Sequence, residues 1–139
     1  MKLNRKAFTI IELIVVVGII SVLASIVVFN VSSIRNRARD ATIKENMSSF
    51  FKLASDYWEL HGNYGGFCEY SEARKLFDSI PAFNDKKEKY CQHDSDEWMV
   101  CAQLNFPDDR SRAWCIDATG IRREISADDC KQGNKDCQS

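Results

Sequence analysis

Proline is nearly missing from this chain: there are two, Pro81 and Pro107, and none between Phe8 and Ile80. Proline is the residue that removes an i→i−4 hydrogen bond and clashes with the preceding turn, so nothing of that kind interrupts a helix over this stretch. Histidine is equally scarce, with only His61 and His93, and no Cys-x2-Cys pair occurs. Those two shortages argue against a zinc ribbon or a thioredoxin-like centre. Neither histidine lies in a recognisable unit with a nucleophile. Nucleophile elbow, Walker loop and His-Glu-x-x-His strings are all missing. No enzyme chemistry, metal or cofactor is therefore expected. The formal net charge is -1, which leaves no global electrostatic footprint for nucleic acid. Lys86, Lys87 and Lys89 could touch an acidic partner or a DNA backbone, but they read more simply as part of an exposed loop.

What the chain does have is one long apolar run. From Phe8 to Phe29 the only ionisable residue is Glu12. At about 1.5 Å per residue the run makes roughly 33 Å of helix, enough to cross a hydrocarbon core of about 30 Å. Ahead of it, Lys2, Arg5 and Lys6 make a basic stub. Positive charge before a first apolar run favours a cytoplasmic N-terminus and an exported C-terminal side. Arg35, Arg37 and Arg39 on the far side weaken that bias, and Asp40 softens it back.

An ordinary secretory signal is one reading, with Val22-Leu23-Ala24 before Ser25 as its cleavage site. The apolar stretch continues past that point to Val31, so no polar boundary marks a cut. A plain signal anchor is a second reading. Neither gives a purpose to Glu12, because a carboxylate at the centre of a bilayer costs roughly 2.5–3.5 kcal/mol, somewhat less near the interface.

The junction Lys6-Ala7-Phe8-Thr9-Ile10-Ile11-Glu12, followed by Leu13 through Ile20, resembles the prepilin signal shared by type IV pilins and the pseudopilins of type II secretion. Two positions depart from that family's pattern. Ala7 stands where glycine is usual, and Phe29 where many members have a kinking proline, so the helix is expected to be straighter there. The resemblance implies cleavage between Ala7 and Phe8 by a prepilin peptidase and N-methylation of Phe8. It also implies a filament assembled through Thr9, Glu12 and the apolar helix. The partners it implies are the membrane, the peptidase and methylase, other pilin subunits, and a pilus or secretion assembly machinery. The product would be a single-pass cytoplasmic-membrane precursor with its N-terminus in the cytoplasm, later part of an extracellular pilus or a periplasmic pseudopilus. A pilus subunit is the favoured function, with a pseudopilin or a membrane-tethered binding module as the alternatives.

Three segments are expected: a leader over 1–7, a membrane and filament-core helix over 8–31, and a globular domain over 32–139. Past the membrane, Ile43, Met47, Phe50, Ala54 and Tyr57 fall on one face of a helix, widened by Phe51 and Trp58. Arg35, Arg37, Arg39, Lys44 and Lys52 read as solvated faces. One helix from about Phe8 to His61 follows, closed by Gly62. A coiled coil is the rival, but the stripe spans few heptads. Asn63-Tyr64-Gly65-Gly66 is a turn, and Ser71 is placed to cap a short helix carrying Ala73, Leu76, Phe77 and Ile80 and ending near Pro81.

Alternation then takes over. Trp98, Val100, Ala102 and Leu104 point one way, with Met99, Cys101 and Gln103 the other. Trp114 and Ile116 alternate with Cys115 and Asp117, after a turn at Pro107-Asp108-Asp109. Ala118-Thr119-Gly120 turns into a third strand over Ile121 to Ile125. The fold class is α+β: a long helix packed on a small antiparallel meander, as the pilin resemblance also implies.

All six cysteines, at 68, 91, 101, 115, 130 and 137, follow the apolar run and read as disulfides in an oxidising compartment. Setting Cys101 opposite Cys115 also places Val100 against Ile116 and Ala102 against Trp114. A Cys101–Cys115 bond is therefore expected, leaving Cys68–Cys91 and Cys130–Cys137 by closeness in sequence. The groups Asp94-Ser95-Asp96-Glu97, Asp108-Asp109, Asp117 and Asp128-Asp129 carry oxygen ligands that suit calcium, but no fixed-register loop organises them. His61 reads as a helix terminator, His93 as an exposed loop residue, and Trp58, Trp98 and Trp114 as core. Intact-mass analysis or N-terminal sequencing of the protein from its native membrane should give a chain that starts at Phe8 and is methylated there; a start at Ser25 would mean ordinary secretion.

Overall fold

A computed structural model describes residues 8–81, 89–106 and 111–138. The leader with Ala7, the lysines at 86 and 87, and the turn at Pro107-Asp108-Asp109 lie outside the described residues. The elements run as helix α1 (Ile10–His61), helix α2 (Ser71–Ser79), and strands β1 (Lys89–His93), β2 (Trp98–Gln103), β3 (Arg112–Asp117) and β4 (Arg122–Ser126). Two compact units divide between Arg35 and Asn36.

In the first unit Leu13, Ile14, Val15, Val16 and Val17 are all exposed, between 45% and 65%. Successive residues step about 100° around a helix, so five in a row face every direction. Ser21 and Ser25 return their hydroxyl protons to the carbonyls of Val17 and Ser21, which leaves no side-chain donor unpaired on the apolar surface at those positions.

The second unit is built on a four-stranded antiparallel sheet in the order β1-β2-β3-β4. One face carries Trp98, Val100, Ala102 and Ile116, and it is covered by Ile43, Met47, Phe50, Ala54 and Tyr57 of α1. The helix stripe and the strand alternation therefore meet as their periods require. Gly62, at φ +70°, ends α1 in the left-handed conformation and donates to the Trp58 carbonyl at 2.7 Å. Asp40, 6% exposed, holds the chain leaving β2. One carboxylate oxygen accepts from Asn105 N–H and Asn105 Nδ2, at 2.6 and 2.8 Å, and the other from Phe106 N–H at 2.8 Å. Beside it the Arg37 guanidinium lies 4.3 Å from the centre of the Phe106 ring.

Several details differ from the sequence reading. Residues 89–93 form an edge strand where only a loop ending at Lys89 was expected. Their apolar content is too low to mark a strand, and its place is set by tertiary contacts. Lys89 Nζ takes the Phe77 and Ile80 carbonyls at 2.6 and 3.0 Å, satisfying the open end of α2. His93 sits in that strand with Nε2 3.3 Å from Glu69 and is not in a loop. The N-cap of α2 is Tyr70, with no side-chain cap, so Ser71 is instead the first helical residue. Trp58 is 40% exposed and packs its ring on Tyr64 rather than entering the core. Lys44, expected on a solvated face, reaches Glu124 at 2.8 Å and lies over Trp114.

The largest difference concerns the disulfides. The β2–β3 register is the expected one, with Cys101 opposite Cys115, Val100 opposite Ile116 and Ala102 opposite Trp114. The bonds, however, are Cys68–Cys91, Cys101–Cys130 and Cys115–Cys137. Only the first is as expected. Register needs no sulfur to fix it, because ladder hydrogen bonds and the cross-strand pairs already do so. What does need help is the second face of the sheet, where Met99, Cys101, Ala113, Cys115 and Ile125 are buried without a helix over them. The C-terminal tail covers it, and a tail without regular structure stays there because two bonds hold it. With separations of 29 and 22 residues, loop closure alone gives each bond about 3–4 kcal/mol.

The tail is also held by charge. Asp94 accepts from Lys135 Nζ and from the N–H groups of Asp96 and Glu97, which hold its carboxyl down at about 2. A carboxyl held below its usual value stabilises the fold above that usual value. The contribution is lost as the pH falls through about 2.

A fragment beginning at Ser33 should be soluble and monomeric by size-exclusion chromatography with light scattering, since the apolar unit is gone and the core is complete. In that fragment Asp40→Ala should lower stability by about 2–4 kcal/mol in denaturant unfolding, because the buried Asn105 N–H and Nδ2 and the part-buried Phe106 N–H lose their acceptor.

Candidate functional site

The start of α1 is where the sequence concentrates its unusual residues. Phe8 precedes the helix and is 77% exposed. Thr9 is the residue before the first helical position, and Glu12 is the third residue of the first turn. The pair closes on itself. Thr9 Oγ1 accepts the Glu12 N–H at 3.3 Å, and the Glu12 carboxylate accepts the Thr9 N–H at 2.9 Å. This is the reciprocal arrangement of a capping box. A third hydrogen bond runs from Thr9 Oγ1–H to the same carboxylate oxygen at 2.8 Å. Helix polarity favours a negative group at this end.

Sequence reasoning missed this. The Thr-x-x-Glu spacing before an apolar run was present in the sequence and is the ordinary signature of a capping box. The geometry has a chemical consequence. Oε2 takes both Thr9 donors, whereas Oε1 takes no hydrogen bond among the described residues. One oxygen is thus used within the chain, and the other can accept from a cation at the same depth.

The remaining candidates are structural in these surroundings. Asp94 spends its oxygens on two backbone N–H groups and Lys135, and Asp117 on backbone N–H groups and the Thr119 hydroxyl. Asp128 and Asp129 lie in a short 3-10 turn capped by Ser126. No group of three or more metal-ligating side chains occurs among the described residues. His61 ends α1, with its ring stacked 4.0 Å from that of Tyr57.

The family description "Prokaryotic N-terminal methylation motif" matches residues 2–28, which span this junction. The type IV wide pilus major component PilA4 of Thermus thermophilus is 35% identical over 61 residues. Over this stretch the chain is similar to a type IV pilin. That match covers 44% of this pilin-like chain and 47% of PilA4, so the chain spans about half the length of the curated relative. No solved structure matches it. A long N-terminal helix followed by a four-stranded antiparallel sheet gives the pilin-like chain its α+β architecture, and the matched family is a structural one and not an enzyme family.

Thr9→Ala should weaken the helix start by about 1 kcal/mol, the usual cost of losing such a cap. Hydrogen exchange in detergent micelles should then speed up at the amides of Ile10 to Glu12 and stay unchanged beyond the next two turns.

Proposed function

We propose that the chain is a precursor of a type IV pilus-like filament subunit, inserted in the membrane by α1, cut between Ala7 and Phe8, methylated at Phe8, and polymerised through its apolar helix. The observation that supports this most is the helix segment whose apolar side chains are exposed on every side among the described residues. Before assembly, lipid covers it. In a filament, copies of the same helix do. The wide-pilus role of the relative favours a surface filament over a secretion pseudopilus. The subunit itself carries out no reaction. The peptidase and the assembly machinery are its working partners, and its sheet domain is exported while the leader stays in the cytoplasm.

The cut changes the electrostatics at the junction. In the precursor the Phe8 nitrogen is a neutral amide. In the mature chain it becomes a cation at nearly the depth of Glu12 on a neighbouring subunit. The spare Oε1 can take that charge while Oε2 stays with Thr9. Pairing offsets the cost of a carboxylate in lipid and gives neighbouring helices a common register. Removing the leader also deletes three positive charges, taking the formal side-chain balance from -1 to -4.

Glu12→Ala should insert at least as well as the native chain, since a costly group is gone, but should fail to assemble. Membrane fractionation and filament shearing yield read the two effects separately. An unchanged filament yield would count against pairing through Glu12, and a soluble variant would count against the anchor.

A further inference from the structure

Beyond the assembly surface, the structure holds a buried carboxylate that the filament reading does not use. Asp117 ends β3 and is 1% exposed. Its Oδ1 accepts from the Thr119 N–H at 2.9 Å, the Thr119 hydroxyl at 2.6 Å and the Ile121 N–H at 3.3 Å, which shapes the turn into β4. Its Oδ2 accepts from the Cys137 N–H at 3.0 Å. Among the described residues, hydrogen bonds tie 131–138 to the rest of the domain at Cys137–Asp117 and at Lys135–Asp94, apart from contacts within the tail and its preceding turn. The lysine side chain is 65% exposed, and such a pair is a weak tether. The Cys137 contact is buried.

Four cysteines share this face, and the simplest way to pair them is not the one observed. Cys101 and Cys115 are direct cross-strand partners, and Cys130 and Cys137 are close in sequence. Those two pairs would close shorter loops than the observed bonds, whose separations are 29 and 22 residues, and shorter loops cost less entropy to close. Proximity along the chain therefore does not choose the isomer. The Asp117 contact can, because Asp117 lies two residues beyond Cys115 and holds the backbone of Cys137 itself.

We propose that Asp117 selects the disulfide isomer of the C-terminal tail: by accepting the Cys137 N–H it seats the tail against β3 before oxidation, so that Cys137 meets Cys115 and not Cys130. The oxidant is of the disulfide class. The Cys137 thiolate attacks it, forming a mixed disulfide and releasing one thiolate. The Cys115 thiolate then attacks the Cys137 sulfur and expels the second. Two protein thiols are oxidised and one oxidant disulfide is reduced to two thiols, which take up the two protons the cysteines lost. With Cys115 used, Cys101 is left to Cys130, and the second face is closed over.

The test is reoxidation of the full chain in detergent. Reduced, unfolded protein is returned to folding conditions in a mixture of oxidised and reduced glutathione, and the pairs are read by non-reducing peptide mapping. The native chain should recover Cys115–Cys137. Asp117→Asn, nearly the same size, turns one oxygen into a donor facing the Cys137 N–H. It should raise the ratio of Cys130–Cys137 to Cys115–Cys137 by about tenfold, the scale of one hydrogen bond to a charged group. Thr119→Val keeps the Cys137 contact and should pair natively. Native pairing in Asp117→Asn at the native proportion overturns the proposal, as does equal mispairing in Thr119→Val, which would assign selection to the turn as a whole. Should Asp117→Asn not refold, the same substitution is made with Cys101→Ser and Cys130→Ser, leaving Cys115 and Cys137 on this face. The rate of their bond formation should fall about tenfold, and an unchanged rate again overturns the idea.

Discussion

A helix that is apolar on all sides has nowhere to go within its own domain. A single sheet offers one face to cover one stripe, and α1 uses that face for the stripe from Ile43 to Tyr57. The residues before it expose side chains at every angle. Backbone polar groups there must be satisfied internally if lipid is the solvent, which an unbroken helix does everywhere except at its first turn. Thr9 and Glu12 sit at that turn and satisfy part of its requirement by themselves. The polar cluster at the junction and the apolar surface behind it are thus two parts of one solution, and both the membrane and the filament readings depend on it.

The second unit solves a different problem. Its sheet is buried on two faces, and the chain has one long helix to cover them. The helix takes the face bearing Trp98, Val100, Ala102 and Ile116, and an irregular tail takes the other. A tail of this kind gains little from backbone hydrogen bonding, so covalent bonds and buried carboxylates replace the secondary structure it lacks. Asp40 does a comparable job on the helix side, where its oxygens close the chain leaving β2.

Much of this was legible in the sequence because period and burial go together. The helix stripe, the alternation in β2 and β3, and the cross-strand register all follow from apolar spacing, and all are present. The disulfide partners were not legible. Alternation places Cys101 and Cys115 on the correct face, but it does not say what else reaches that face. β1 was missed because its five residues are half-buried and mixed in character, and their place is set by contacts with α2 and the Phe67–Glu69 turn. At the N-terminus the mutual bonding of Thr9 and Glu12 was legible too, because the Thr-x-x-Glu spacing before an apolar run is the pattern that produces it.

The edges of the sheet have a consequence for solubility. β1 lies at one edge, is only five residues long and begins with Lys89. A short edge strand carrying a lysine discourages pairing with another sheet. The opposite edge, β4, carries Arg122, Arg123 and Glu124, all exposed. Charged side chains along an edge discourage a second strand from docking there. A filament subunit of the kind proposed above packs against many copies of itself at very high local concentration. Blunted edges on both sides of the sheet discourage strand pairing between such copies.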